Sequence, residues 1–395
     1  MFKIVKLGFA ILVSQGLCAS VYAACPVANQ YNFNFSSQTA TSLNYATIYT
    51  YTANSTALGN QNFTVQWANN GFNATTTIGT LPEISADVSG ALGVNALVIG
   101  GVLTTRTANI TSNTRTLVTT LTFPVPVRDV TFTLHDLDFL NNQFRDWMHI
   151  TGVSAAGNYV PAITTPFGQA NNTGPFTNAS SSAKLGPQAA PVAVTDQQVA
   201  GVGASTNNSS TGNITATFAQ PVTSVQLRYG NYPLQTGETA TGQQFYAVGA
   251  VSWCPMPDLG VTKTSAPFVT TAGDPNRFNV PGADVAYSLT VTNSNSSPID
   301  LNATVLTDIL PSTVIFRNSD YDDAGPLTTN FEFLAGSSGL TIAAANLTYS
   351  NNGGTSYTYS PAAGYDTNVN AVRINPQGTM AANSSFTIRF RTQIK

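Results

Sequence analysis

The densest group of ionisable and amide side chains in the chain begins at His135-Asp136-Leu137-Asp138. It continues through Asn141, Asn142 and Gln143 and ends at Asp146 and His149. Carboxylate and amide oxygens gathered in a strand–loop–strand are the ligands calcium takes, about six to eight at a time. Asp136 shares the parity of Val130, Phe132 and Leu134, so alternation aims it at the core as its strand ends. A carboxylate so placed has to be paired, hydrogen-bonded or metal-bound. Two readings stand side by side: Asp136, Asp138 and Asp146 hold calcium, or the Asp side chains cap the turn through backbone N–H groups. The spacing is not that of an EF-hand loop, which needs a Gly at its sixth position and a Glu at its twelfth.

Other chemistry finds less support. His135 and His149 are the only histidines, and their spacing fits no zinc motif. Neither sits near a Gly-x-Ser-x-Gly elbow. Carboxylates that hydrolyse glycosides stand about 5–9.5 Å apart. Asp136, Asp138 and Asp146 can reach that separation, as can Asp320, Asp322 and Asp323, although the second trio reads more simply as solvated turn residues. The chain is therefore read as non-enzymatic. Trp147, Tyr229 and Tyr232 are candidate platforms for stacking a sugar, whereas Trp67 alternates with Phe63 and Val65 and is expected in the core.

The elements that must position these residues are strands. Tyr31–Phe35, Phe63–Trp67, Val130–Leu134, Ile214–Phe218 and Val225–Tyr229 all alternate apolar with polar residues, and Asn-, Gly- and Pro-containing segments separate them. The apolar run Gly90–Leu103 is interrupted by glycines and Asn95, and is expected to be a buried strand pair. Asn171–Gly212, rich in Ser, Ala, Asn and Gly, reads as a long loop or as two weak edge strands. No window carries an apolar stripe at helical spacing. The fold class expected is all-β: a β-sandwich or jelly-roll-like body, then a second sandwich.

Charged residues make up only 8% of the 395, against roughly 25% in an average soluble domain. The exposed faces must therefore be built from Thr, Asn, Ser and Gln. A net charge of −3 and no basic run beyond residue 6 argue against a nucleic-acid partner. Residues 1–23 read as a signal peptide, with Lys3 and Lys6 ahead of an apolar stretch and Val21-Tyr22-Ala23 supplying small residues before the cut. The apolar stretch is too short to span a bilayer, so no transmembrane segment is expected after its removal. Cys25 and Cys254 bracket one block of the exported chain and are expected to pair there.

That block, residues 24–254, forms a head, and the prolines of 255–258 form a stiff link to residues 259–395. In the last segment Asp258-Leu259, Lys263-Thr264, Pro281-Gly282, Tyr287–Asn293 and Thr307-Asp308-Ile309-Leu310-Pro311 occur in order, with Gly364-Tyr365-Asp366 and Val372-Arg373-Ile374 towards the end. This series resembles the bacterial conserved-repeat surface domain, the "domain of unknown function eleven" family. The resemblance implies an immunoglobulin-like sandwich without catalytic residues, found in exported and cell-surface proteins. Less specifically, Phe132–Asp138 with Asp146, Phe218–Val222 and Val251–Cys254 resemble head domains that precede such repeats. Some surface immunoglobulin-like domains carry a Lys–Asn amide crosslink. Lys263 has core parity and Asp308 could serve as the acid, but the last strand offers no Asn, and snorkelling of Lys263 to the edge is the preferred reading. The final strand, Phe386–Ile394, is expected to expose Arg389 and Arg391.

The function expected is structural or adhesive, at the cell surface or outside the cell, with the periplasm as an alternative location. A surface protein or a glycan is the expected partner. The competing reading is a calcium-dependent carbohydrate-binding module, and a secreted hydrolase ranks below it.

Overall fold

Alternating stretches of β-branched and aromatic residues become strands almost throughout. The structure is a computed structural model. It describes residues 25–71, 75–76, 79–90, 93–103, 105–140, 143–165, 183–185, 194–201, 203–233, 242–269, 278–295, 297–323 and 328–395. The signal peptide expected at 1–23 and most of 171–193 lie outside them.

The principal strands up to the expected link are β1 (Tyr31–Asn34), β2 (Tyr49–Ser55), β3 (Gly59–Asn70), β4 (Ala96–Leu103), β5 (Thr116–His135), β6 (Phe144–Ser154), β7 (Gln198–Gly201), β8 (Ile214–Thr217), β9 (Val222–Asn231) and β10 (Gly242–Pro255). They belong to one antiparallel sheet with the path β7-β6-β9-β5-β3-β2-β1-β10-β4, in which β8 also pairs with β5. β5 is long enough to serve both sides. Its first half pairs with β3 and β9, and its second half with β8 and β10. The β5–β10 pairing closes the path into a ring, giving the head a barrel-like as well as a sandwich-like character. The inward residues of these strands, among them Phe33, Phe63, Trp67, Phe132, Leu227 and Trp253, make one core. The run Gly90–Leu103 yields the single strand β4 rather than a pair. Val98 and Ile99 are both buried there because the strand has protein on each face.

Beyond the link come β11 (Leu259–Pro267), β12 (Asp284–Asn293), β13 (Leu306–Ile309), β14 (Val314–Asn318), β15 (Phe331–Leu334), β16 (Leu347–Ser350), β17 (Gly364–Asp366), β18 (Ala371–Ile374) and β19 (Ser384–Ile394). One sheet runs β11-β12-β19-β14-β17, with β15 also on β19, and the other runs β13-β18-β16. Leu289, Phe316, Ile374, Ile388 and Phe390 pack between them. Among the described residues no strand pairs across the link. Polar contacts do cross it: Ser297 Oγ donates to Pro255 O at 3.2 Å, and Arg128 donates to Asp300 at 3.3 Å.

Cys25 and Cys254 stand at disulfide distance, with Cα atoms 6.1 Å apart and 229 positions between them in sequence. A bridge over so long a loop restricts the unfolded chain strongly. Replacing Cys25 by Ser should therefore cost about 2–5 kcal/mol. Thermal melts of the oxidised protein and the variant check this, and equal melting temperatures would refute it.

Candidate functional site

β5 ends at His135, and the backbone turns there because Asp136 takes a positive φ of 66°, a conformation Asp tolerates better than most residues. The turn brings Asp136 and Asp138 back over Asp146, which lies near the start of β6. All three are buried, at 5%, 6% and 1% exposure. Asp138 N–H donates to Asp146 Oδ2 at 3.0 Å, and Asp146 N–H returns a bond to Asp138 O at 2.9 Å. From β9, Tyr229 O–H donates to Asp146 Oδ1 at 2.5 Å. The segment 203–213 covers the group: Ser205 N–H donates to Asp138 Oδ2 at 2.6 Å, and Leu137 N–H donates to Gly212 O at 3.0 Å. Asp136 Oδ1 is buried without a partner.

Among the described residues no cationic side chain lowers the pKa of any of the three carboxyls. Burial, with Asp138 acting in the same direction, pushes Asp136 up to about 8, and burial pushes Asp138 up to about 7. Asp146 rises well above the carboxylate range through burial first and its two acidic neighbours second. Around neutrality the cluster therefore retains protons. The three carboxyls expected to lie near one another do so, with Asp136 turned inward as its parity implies. Among the described residues no three His, Cys, Asp or Glu side chains converge to hold a metal ion. The oxygens of Asp138 and Asp146 are turned instead to backbone N–H groups and a phenol. The amides Asn141 and Asn142 lie outside the described residues.

The proposed aromatic platforms are corrected by burial. Trp147, Tyr229 and Tyr232 are 2%, 0% and 0% exposed and cannot stack a ligand. Trp147 donates to Gln198 Oε1 at 3.1 Å and meets Tyr232 edge-on, and Tyr229 packs on Tyr246. Their strands are covered on the face that alternation left unassigned. Trp67 is in the core. His149 is buried beside the Arg228 guanidinium, and burial first and that charge second lower it to about 4.

In the C-terminal sheets Lys263 does not snorkel outward. Its Nζ lies 2.7 and 2.8 Å from the two carboxylate oxygens of Asp308, joining β11 to β13 as an ion pair. Arg391, expected at the surface, is buried. It donates to Asp284, to Asp323 Oδ2 at 2.7 Å and to Tyr321 O at 2.9 Å, under the ring of Phe268. Asp323 is thus a partner for Arg391 and Arg317 rather than a merely solvated turn residue. Arg389 remains half out, paired with Glu332.

A trough on the solvent side of the head was not foreseen. β10 runs between β1 and β5, with Asn34 opposite Ala250, and Ser252 flanked by Asn32 and Thr131. An irregularity between Val248 and Val251 takes Gly249 and Ala250 out of the ladder with β5. Ala250 N–H donates instead to Thr133 Oγ1 at 3.1 Å. Small residues on the middle strand with Asn and Thr on either side leave a depression. Two cavities of about 370 and 290 Å³ occupy it and share Asn34, Thr133 and Ala250. A Cβ at Gly249 would run into His135 Nε2, so that glycine is what lets the ring lie under the trough. The available signals were the doublets Thr131-x-Thr133 and Thr215-x-Thr217, which face each other across β5 and β8.

No protein-family model matches the chain, and no characterised protein is similar enough to count as a relative.

Proposed function

We propose that this is an exported bacterial protein with a non-catalytic, structural or adhesive role, whose head (residues 24–254) presents the contact surface at the cell surface or beyond it. The reading takes residues 1–23 as a cleaved signal. It takes 259–395 as an immunoglobulin-like spacer similar to the conserved-repeat surface domain. One observation carries it. The side chains equipped for chemistry, Asp136, Asp138 and Asp146, are all buried, Asp138 and Asp146 are bonded inward, and among the described residues neither trough cavity is lined by a carboxylate. Hydrolysis by a carboxylate pair needs both groups to reach the substrate. The open faces of the head carry neutral Thr, Asn and Ser, such as Thr52, Asn62, Asn32 and Asn34. That surface suits many weak hydrogen bonds to a partner.

The test is retention on paired glycan and protein arrays, with calcium and with a chelator. Retention without product release is expected, unchanged by chelation. Release of cleaved glycan would replace the adhesive reading with a hydrolase. Retention lost on chelation would replace it with a calcium-dependent carbohydrate-binding module.

A further inference from the structure

We propose that the trough along β10 is a binding site for an uncharged saccharide chain, which rests on the adhesive reading of the head and names its contact surface. The two cavities adjoin, with Asn34, Thr133 and Ala250 lining both. The larger, at about 370 Å³, falls within the range of ligand pockets, roughly 300–1,000 Å³. Along β5 the trough runs from Thr131 to His135, a distance of about 13 Å at strand rise. That accommodates a short oligosaccharide lying along the strands.

The chemistry of the walls selects the ligand. Among the described residues neither cavity has a carboxylate, Lys or Arg in its lining, and burial lowers the pKa of the His135 ring. An ionic ligand would lose water there and gain no countercharge. Asn32, Asn34, Thr131 and Thr133 supply amide and hydroxyl groups along the edges, while Ala250 and Ser252 form the floor on β10. Sugar rings present that same combination, hydroxyls at the rim and C–H groups on the faces.

The depression exists because residue 250 is small. Ala250→Trp fills it from the solvent side, and Asn34→Ala removes an exposed wall group together with its cap on Ser36 N–H at 2.9 Å, which lowers stability modestly. Asn158→Trp, exposed beside the turn that follows β6, is the control. The probe is an array of neutral glucose- and N-acetylglucosamine-based oligosaccharides beside sialylated and sulfated ones, with melting temperature recorded for every variant. Wild type and Asn158→Trp should bind neutral chains and ignore acidic ones. Ala250→Trp should lose at least tenfold in affinity, and Asn34→Ala several-fold. Full binding by both trough variants would overturn the assignment while leaving adhesion through another face. Absence of neutral-glycan binding by wild type, with retention on proteins, would also overturn it and leave the adhesive reading standing. Failure on every array would end both.

Discussion

Taking the protein from about pH 5 to about pH 8 should remove several kcal/mol of stability from the N-terminal part. The cause is the cluster of Asp136, Asp138 and Asp146. In the unfolded chain an Asp carboxyl titrates near its ordinary value of 3.8, while in the fold Asp136 and Asp138 rise to about 8 and about 7. Between those limits the folded chain holds protons that the unfolded chain has released, so stability falls as pH rises. The contribution is fully present below about pH 4 and gone above about pH 8. Each group acting over this window changes stability by up to about 1.4 kcal/mol per pH unit. Coupling between them makes the sum smaller than the separate values, and a net loss on the order of 4 kcal/mol is expected. Urea unfolding at both pH values measures it. Asp136→Asn, neutral at every pH, should flatten the profile chiefly by restoring stability at pH 8. Equal stability at the two pH values would show that the carboxyls are not protonated in the fold. Recovery of the lost stability by calcium at pH 8 would show that a cation neutralises them instead.

Arg391→Ala should be the most damaging single change in the C-terminal sheets, at about 3–5 kcal/mol. Arg391 sits on β19 at 4% exposure and binds Asp284, itself 3% exposed. Removing the guanidinium leaves Asp284 with Tyr365 O–H at 2.7 Å and the more distant Arg317 Nε at 3.8 Å. It also frees Tyr321 O and Asp323, and with them the packing of Phe268 across the strand. Arg391→Lys keeps the charge but cannot span three acceptors, and should recover only part of the loss. The exposed Arg389→Ala, losing a half-solvated pair with Glu332, should cost under about 1 kcal/mol. Comparable losses for the two arginines in chemical denaturation would contradict the burial of Arg391.

Alternation alone determined that the chain is all-β, because a period of two in Val, Thr, Tyr and Phe fits only a pleated strand. It placed Trp67 in the core, where it is buried. Two cysteines flanking one block led to a pairing whose Cα separation suits a disulfide. The grouping of Asp136, Asp138 and Asp146 was legible because all three lie within one strand–turn–strand. Parity says which side of a strand a residue occupies, but not what covers that side. Tyr229, Tyr232 and Trp147 lie inside, and Arg391 beneath Phe268, through contacts from distant segments. Ring closure through β5 and β10 depends on pairing between residues more than a hundred positions apart. The trough needs three strands side by side with the small residue in the middle. Only the tertiary structure decides such features, because each is a relation between faces that the sequence presents one strand at a time.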